Sequence, residues 1–165
     1  MITNQDILIL LMLSMSKEPI MQKDIADRGQ ISRAATSIAM KRLIDIKLLA
    51  SDRQQVMKRN FLDFLIYGLP YVFPAQLGAV TKGIATHLTA IPMSEHFSAE
   101  RSYVWPYAVG ETIGQSILPI YPSVPDIIGN EPELYYALVL IDTLRIGQAR
   151  ERKKAISLLK KLLAV

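Results

Sequence analysis

Residues 7–13 read ILILLML, and no other stretch of the chain limits the fold as strongly. Asp6 and Lys17 bound the run closely, so it is too short to cross a bilayer. It also lacks the basic leader and small-residue cleavage site expected of a signal peptide. Ile7, Leu8, Leu10, Leu11 and Met15 recur at helical spacing, and Asn4 is a candidate cap for a helix beginning at Gln5. Ile9, Met12 and Leu13 are apolar as well. A helix that is apolar on nearly all sides has to be covered on nearly all sides. The cover is expected from a second copy of the chain or from its own C-terminal helices. A chain of 165 residues is long enough to build one domain, or two small units sharing one core.

Beyond this helix the chain is punctuated clearly. Pro19 in KEPI breaks the pattern, a short helix is expected over 22–28 with Gly29 as its stop, and Ser32 caps a longer helix running to about residue 47. Residues 53–67 carry Val56, Met57, Phe61, Phe64 and Leu65 at helical spacing, with Asp52 as cap and Gly68 as end. A two-stranded wing is the competing reading there, but period-two alternation is absent, which favours helix.

Residues 69–125 hold seven of the nine prolines and the glycines at 78, 83, 110 and 114. Such density breaks long helices and leaves short strands and turns. Extended pieces are expected at 71–73, 84–88, 103–105 and 116–120, with 94–102 as the mobile loop. After Asn130, a cap with Pro132 in the first turn, helices return. Ile146 and Gly147 make a turn, and the last helix, about 148–163, carries an apolar stripe of Ala155, Ile156, Leu158, Leu159, Leu162 and Leu163. The expected fold is therefore mainly α. Residues 1–67 form an N-terminal helix-turn-helix unit. Residues 68–165 form a small irregular β-containing segment with a C-terminal αα-hairpin.

Charge is unevenly spread. Lys and Arg exceed Asp and Glu by ten to six in residues 1–60, fall short by two to five in 61–130, and exceed them by seven to four in 131–165. Basic ends around an acidic middle suggest a polyanion at one or both ends; solvated surface charge is the plainer explanation. The absence of cysteine excludes a disulfide scaffold and thiol chemistry and makes a reducing cytoplasm the expected compartment.

On a helical wheel, Ile31, Ala35, Ala39, Leu43 and Ile46 gather on one side of the longer helix. Arg33, Ser37 and Lys41 form a row on the other, beside Ala34. A basic, polar, basic row next to a methyl group suits a major groove: Arg reaches guanine, Ser reaches phosphate or base, and Ala permits close approach. Lys23, Arg28 and Gln30 are placed to meet backbone phosphates, as are Arg53, Lys58 and Arg59 further on, and Ser32 sits at the helix entrance.

The stretch over roughly residues 5–50, with DILILLML…QKDIADRGQISRAATSIAMKRLIDIKLLA, resembles the helix-turn-helix and winged-helix transcriptional regulators of bacteria and archaea. KDIA matches the first helix of that pattern and S…KRL…LL the recognition helix. The resemblance implies duplex DNA as partner and a homodimer presenting two recognition helices. Met21 stands where such families place a capping Ser or Thr, Ile38 where they place an exposed polar residue, and Thr36 where they bury Val. These departures leave open a roll of the recognition helix, although Arg33, Ser37 and Lys41 stay outside for either roll.

Residues 104–126, VWPYAVGETIGQSILPIYPSVPD, resemble a segment of prokaryotic helix-turn-helix proteins, some encoded near mobile elements or phage-defence genes. Gly110 and Gly114 are candidates for close backbone approach to a ligand, and Trp105, Tyr107 and Tyr121 for an apolar pocket. The alternative is that the aromatics and prolines clamp irregular chain onto the helices. His87 and His96, the only histidines, lack the spacing of a metal site, and no nucleophile elbow or phosphate loop accompanies them. Catalysis, a metal and a cofactor are not expected. The expectation is a cytoplasmic, dimeric, sequence-specific DNA-binding regulator. The competing reading is a protein-interaction module, such as an antitoxin or phage-defence adaptor, with the helix-turn-helix as scaffold.

Overall fold

The apolar run forms the middle of α1 (Asn4–Met15), and every residue from Asp6 to Leu13 is buried. The computed structural model, which describes residues 1–165, shows how the chain covers this helix by itself. α2 (Gln22–Gly29), α3 (Arg33–Asp45) and α7 (Pro132–Ile146) all pack on it. Each fully buried Leu or Ile contributes roughly 2 kcal/mol by leaving water. α7 is nearly as apolar, buried at Leu134 and from Ala137 to Leu144, and α8 (Ala149–Leu163) lies over it with Ala155, Leu159 and Leu163 turned inward. One apolar cluster runs without interruption from Ile7 to Leu163. The helix-turn-helix segment and the C-terminal hairpin therefore share a core.

Two helix starts shift by one residue. α1 is entered from Thr3, not Asn4, and the Thr3 N–H donates to Asp6 Oδ2 at 2.7 Å. α7 is entered from Glu131, not Asn130, and its first bond runs from the Tyr135 N–H to the Glu131 carbonyl at 2.9 Å.

The wing rejected on periodicity is present in reduced form. α3 ends at Asp45, Leu49 bridges Val56 in antiparallel fashion, the Ala50 N–H donates to the Gln55 carbonyl at 2.8 Å, and the Met57 N–H to the Leu48 carbonyl at 2.9 Å. Asp52 caps no helix. It accepts from the Gln54 and Gln55 N–H groups at 2.8 and 3.0 Å and so closes the hairpin tip, where Arg53 takes φ 60°. The arms are too short to show period two. α4 begins only at Lys58 and runs to Tyr67.

The Pro/Gly region folds into three strands, β1 (Leu77–Ala85), β2 (Tyr103–Pro106) and β3 (Thr112–Ile117). β1 runs antiparallel to both others, which lie parallel to each other and close the sheet into a ring. Residues 71–73 are not extended: Leu69–Val72 is a short helix, α5, with Pro70 in its first turn, where the missing N–H costs nothing, and a second short helix, α6 (Val124–Ile127), follows the sheet. The piece expected at 84–88 stops at Ala85, and His87–Thr89 is a 3₁₀ turn. The piece expected at 116–120 stops at Ile117, and the loop at 94–102 begins inside a second 3₁₀ turn, Met93–Glu95. Gly83, opposite both Pro106 and Thr112, is where the ring closes. A Cβ on Gly110 would strike the Gly83 backbone, and one on Gly114 the Ser102 carbonyl. These glycines admit neighbouring backbone, not a ligand.

Candidate nucleic-acid interface

α2, the turn and α3 have the expected helix order. Gln30, not Gly29, takes the left-handed conformation that stops α2, at φ 53°. Gly29 is buried, and a Cβ there would meet Ile31 Cδ1 at 3.2 Å and Met12 Sδ at 3.4 Å, so it is small in order to seat the turn against α1. The Ser123 hydroxyl donates to the Gly29 carbonyl at 2.7 Å and clamps the turn from the other half of the chain. Ser32 caps α3 by accepting from the Ala35 N–H at 3.1 Å. Met21 caps α2 with its carbonyl alone, accepting from the Asp24 and Ile25 N–H groups at 2.9 and 3.1 Å.

α3 is seated in the unrolled position. Thr36, Ala39, Met40 and Leu43 are buried, and the Thr36 hydroxyl satisfies itself on the Ser32 carbonyl at 2.9 Å. Ile38 stands outside, 62% exposed. Arg33, Ala34 and Lys41 are exposed and Ser37 half-buried, so the row faces away from the core. Arg33 lies 3.9 Å from Asp27 on α2, a loose surface pairing, and Lys41 has no ion pair.

What fixes the helix is a residue that sequence reasoning passed over. Arg42 donates from Nε to Asp6 Oδ2 at 2.8 Å and from Nη2 to Asp6 Oδ1 at 2.7 Å, and Nη2 lies 3.3 Å from the Thr3 hydroxyl. Asp6 is fully buried, and its hydrogen bonds hold the Arg42 guanidinium above its already high range. The signal was present: an acid at the head of an all-apolar helix needs a cation from elsewhere. Gln54 acts similarly on the hairpin. Its side chain accepts from the Ile20 N–H at 3.1 Å and donates to the Ile20 carbonyl at 3.0 Å, as a third strand would.

Several expected phosphate contacts are otherwise engaged. Arg28 reaches Glu131 at the head of α7, at 2.6 Å from Nη2 and 2.8 Å from Nε, because α2 and the start of α7 converge there. Arg53 donates to Gln22 Oε1 at 2.9 Å because the hairpin tip folds back on α2. Lys58 and Arg59 are exposed, but they line a groove of about 720 Å³ with Leu13, Ser16 and Val165, at the end of α1. Lys23, Gln30, Ser32, Arg33, Ser37 and Lys41 remain accessible on α2, the turn and α3.

The aromatic stretch supports the clamp reading, and a charge accompanies it. Asp142, buried on α7, accepts from Trp105 Nε1 at 2.7 Å and the Thr86 hydroxyl at 2.6 Å on Oδ2, and from Arg145 at 3.0 Å on Oδ1. Burial raises its carboxyl above the usual range, against Arg145 and the two other donors. Arg145 also donates to the carbonyls of Phe73, Leu118 and Pro74. Trp105 is therefore the peg that fixes the sheet on α7. Tyr121 lines an open groove of about 830 Å³ with Phe73, Leu118 and four prolines besides Pro106, from which Trp105 and Tyr107 are absent.

His87 is buried with φ 52°. Nδ1 lies 3.0 Å from the Thr143 hydroxyl and Nε2 3.7 Å from Glu151 on α8, and burial lowers its pKa to about 4 against the pull of Glu151. His96, Glu95 and Glu111 are exposed elsewhere, and no three His, Asp or Glu side chains gather as metal ligands. No helix is long and apolar enough to cross a membrane. Comparison with protein-family models, with curated proteins and with solved structures finds no match.

Proposed function

We propose that the protein is a sequence-specific duplex-DNA-binding regulator with α3 as its recognition helix. One observation carries this reading: the Arg33–Ser37–Lys41 row stands clear of the core on a helix whose opposite side is fixed to α1 through Arg42 and Asp6. A rigid helix with an outward cationic row, preceded by a short helix and followed by a β-hairpin, has the layout that lets a helix enter a major groove. Arg33 and Lys41 are the guanine or phosphate contacts. Ser37 and Ala34 allow close approach, and Ile38 offers an apolar contact to a thymine methyl. Lys23 and Gln30 meet the flanking backbone.

As a two-fold dimer the protein addresses half-sites about 34 Å apart. Tyr67, Tyr71 and Val72, exposed where α4 meets α5, give a second copy an apolar surface to cover. The same surface favours the other reading, an antitoxin-like or defence-system adaptor that holds a protein there.

Selection from a random duplex pool followed by anisotropy titration separates the two. The regulator enriches a defined sequence, and Arg33→Ala with Lys41→Ala lowers affinity for it at least 100-fold while keeping the fold. An unenriched pool, or a double variant that binds as tightly as the parent, rejects the assignment.

A further inference from the structure

The densest uncompensated charge in the molecule lies away from α3. α8 carries Arg150, Arg152, Lys153, Lys154, Lys160 and Lys161, and none of them makes an ion pair or a side-chain hydrogen bond within the chain. Every salt bridge in the molecule is made by other residues: Lys17, Arg28, Arg33, Arg42, His87 and Arg145. The one acid on α8, Glu151, is occupied by the Gln148 N–H at 2.8 Å and faces His87.

Five of the six cations form a continuous stripe. At 100° per residue, Arg150, Lys153, Lys154, Lys160 and Lys161 fall with Ser157 on the side opposite buried Ala155, Leu159 and Leu163. The stripe is about 16 Å long at 1.5 Å per residue. One strand of duplex DNA carries one phosphate per ~3.4 Å of axis, so this length matches about five phosphates of a strand, one for each cation of the stripe.

We infer that this stripe is a second, sequence-independent phosphate-binding face for the duplex backbone, an inference that rests on the DNA-binding reading above. Two features favour nucleic acid over other polyanions. The stripe contains no apolar or aromatic anchor, and Lys is depleted in the cores of protein–protein interfaces. Ala155, Leu159 and Leu163 are buried against the core and Ile156, Leu158 and Leu162 are half-buried, so α8 presents no fully exposed apolar face to insert into a membrane. α8 touches neither α2 nor α3 as a packing neighbour, so the stripe adds a face of its own to that of the recognition helix.

The test compares two variants with the same change in net charge. One replaces Lys153, Lys154, Lys160 and Lys161 with Gln; the other replaces Lys17, Lys47, Lys82 and Arg101, exposed cations outside α8 and outside the proposed recognition face, with Gln. Gln keeps helix propensity, and circular dichroism checks the fold. Affinity for a random-sequence duplex is measured from 50 to 300 mM salt. The affinity of the α8 variant falls at least tenfold at 50 mM, and its log K against log salt slope becomes shallower by about 3.6, at ~0.9 for each of the four phosphates the protein no longer neutralises. Its preference for the selected sequence over random duplex stays at the parental value. The control changes less than about twofold. Equal weakening in the two variants, or parental affinity and slope in the α8 variant, overturns the inference and leaves the stripe to an acidic protein partner. A parent protein that binds no duplex at 50 mM salt sinks the DNA-binding reading together with the inference. An intact parent with an unaffected α8 variant sinks the inference alone.

Discussion

The Arg42 guanidinium grips both oxygens of the buried Asp6 carboxylate through two hydrogen bonds, 2.8 Å from Nε and 2.7 Å from Nη2. This fork ties the last turn of α3 to the first turn of α1, and α1 is the helix around which the chain is built. The outward row on α3 is therefore referenced to the core by one ion pair.

Removing one partner of such a pair strands a buried charge, which costs more than losing the attraction itself. Arg42→Met should lower unfolding stability by about 3–5 kcal/mol. Joining it to Asp6→Leu should recover most of that stability, because neither charge is then buried unpaired. Urea unfolding of the two single variants and the double variant measures the coupling. A double variant no more stable than Arg42→Met contradicts this role.

Gln54 does with one amide what an edge strand does with its backbone. Gln54→Ala should cost about 1–2 kcal/mol, since it leaves the Ile20 N–H and carbonyl without partners beside the core. Hydrogen exchange at the Ile20 amide should accelerate roughly tenfold or more. Unchanged exchange there means that the third-strand role is wrong.

Asp142, Trp105 and Arg145 fasten the sheet to α7, and Trp105 is the only tryptophan. Asp142→Ala leaves the indole N–H without its acceptor and the Arg145 guanidinium without its counter-charge, held by backbone carbonyls alone. It should destabilise by about 3–5 kcal/mol and shift Trp105 emission to longer wavelength as water reaches the ring. Asp142→Asn keeps an acceptor for Trp105 and should cost clearly less.

His87 makes stability depend on pH. Its pKa is depressed to about 4 in the folded chain from 6.5, so the unfolded chain binds its proton first. The neutral ring's contribution is complete above pH 6.5 and is lost as pH falls from there towards 4, up to roughly 3 kcal/mol in all. His87→Asn tolerates the positive φ and cannot titrate. The stability difference between parent and variant should therefore shift against the parent as pH falls from 7 to 4.5. A difference that stays constant with pH contradicts the buried neutral ring.

The sequence was most legible where a single periodicity dominated. The all-round apolarity of residues 7–13, the Ser32 cap and the stripe of Ala155, Leu159 and Leu163 each had one geometric solution, and the structure adopts it. Legibility failed where the deciding partner lay far along the chain. Arg28 is bound by Glu131, 103 residues away, and Asp6 by Arg42, 36 residues away. Neither pairing leaves a local pattern. The hairpin at 48–57 was hidden because its arms are too short for alternation and because Val56 and Met57 happen to extend the helical spacing of α4. Gly110 and Gly114 looked like ligand-facing residues because close approach to a ligand and to a neighbouring strand make the same demand on the backbone.

The chain contains no cysteine, so one introduced at position 37 is a unique attachment point. A photo-crosslinker on Ser37→Cys, irradiated with the duplex recovered by selection, tests most directly whether the exposed side of α3 meets DNA. The expected result is a covalent adduct mapping to bases inside the selected sequence, and no adduct from the same label on Ala108→Cys, exposed between β2 and β3. Adducts from position 108 and none from position 37, in protein that still binds the duplex, would contradict a recognition role for α3.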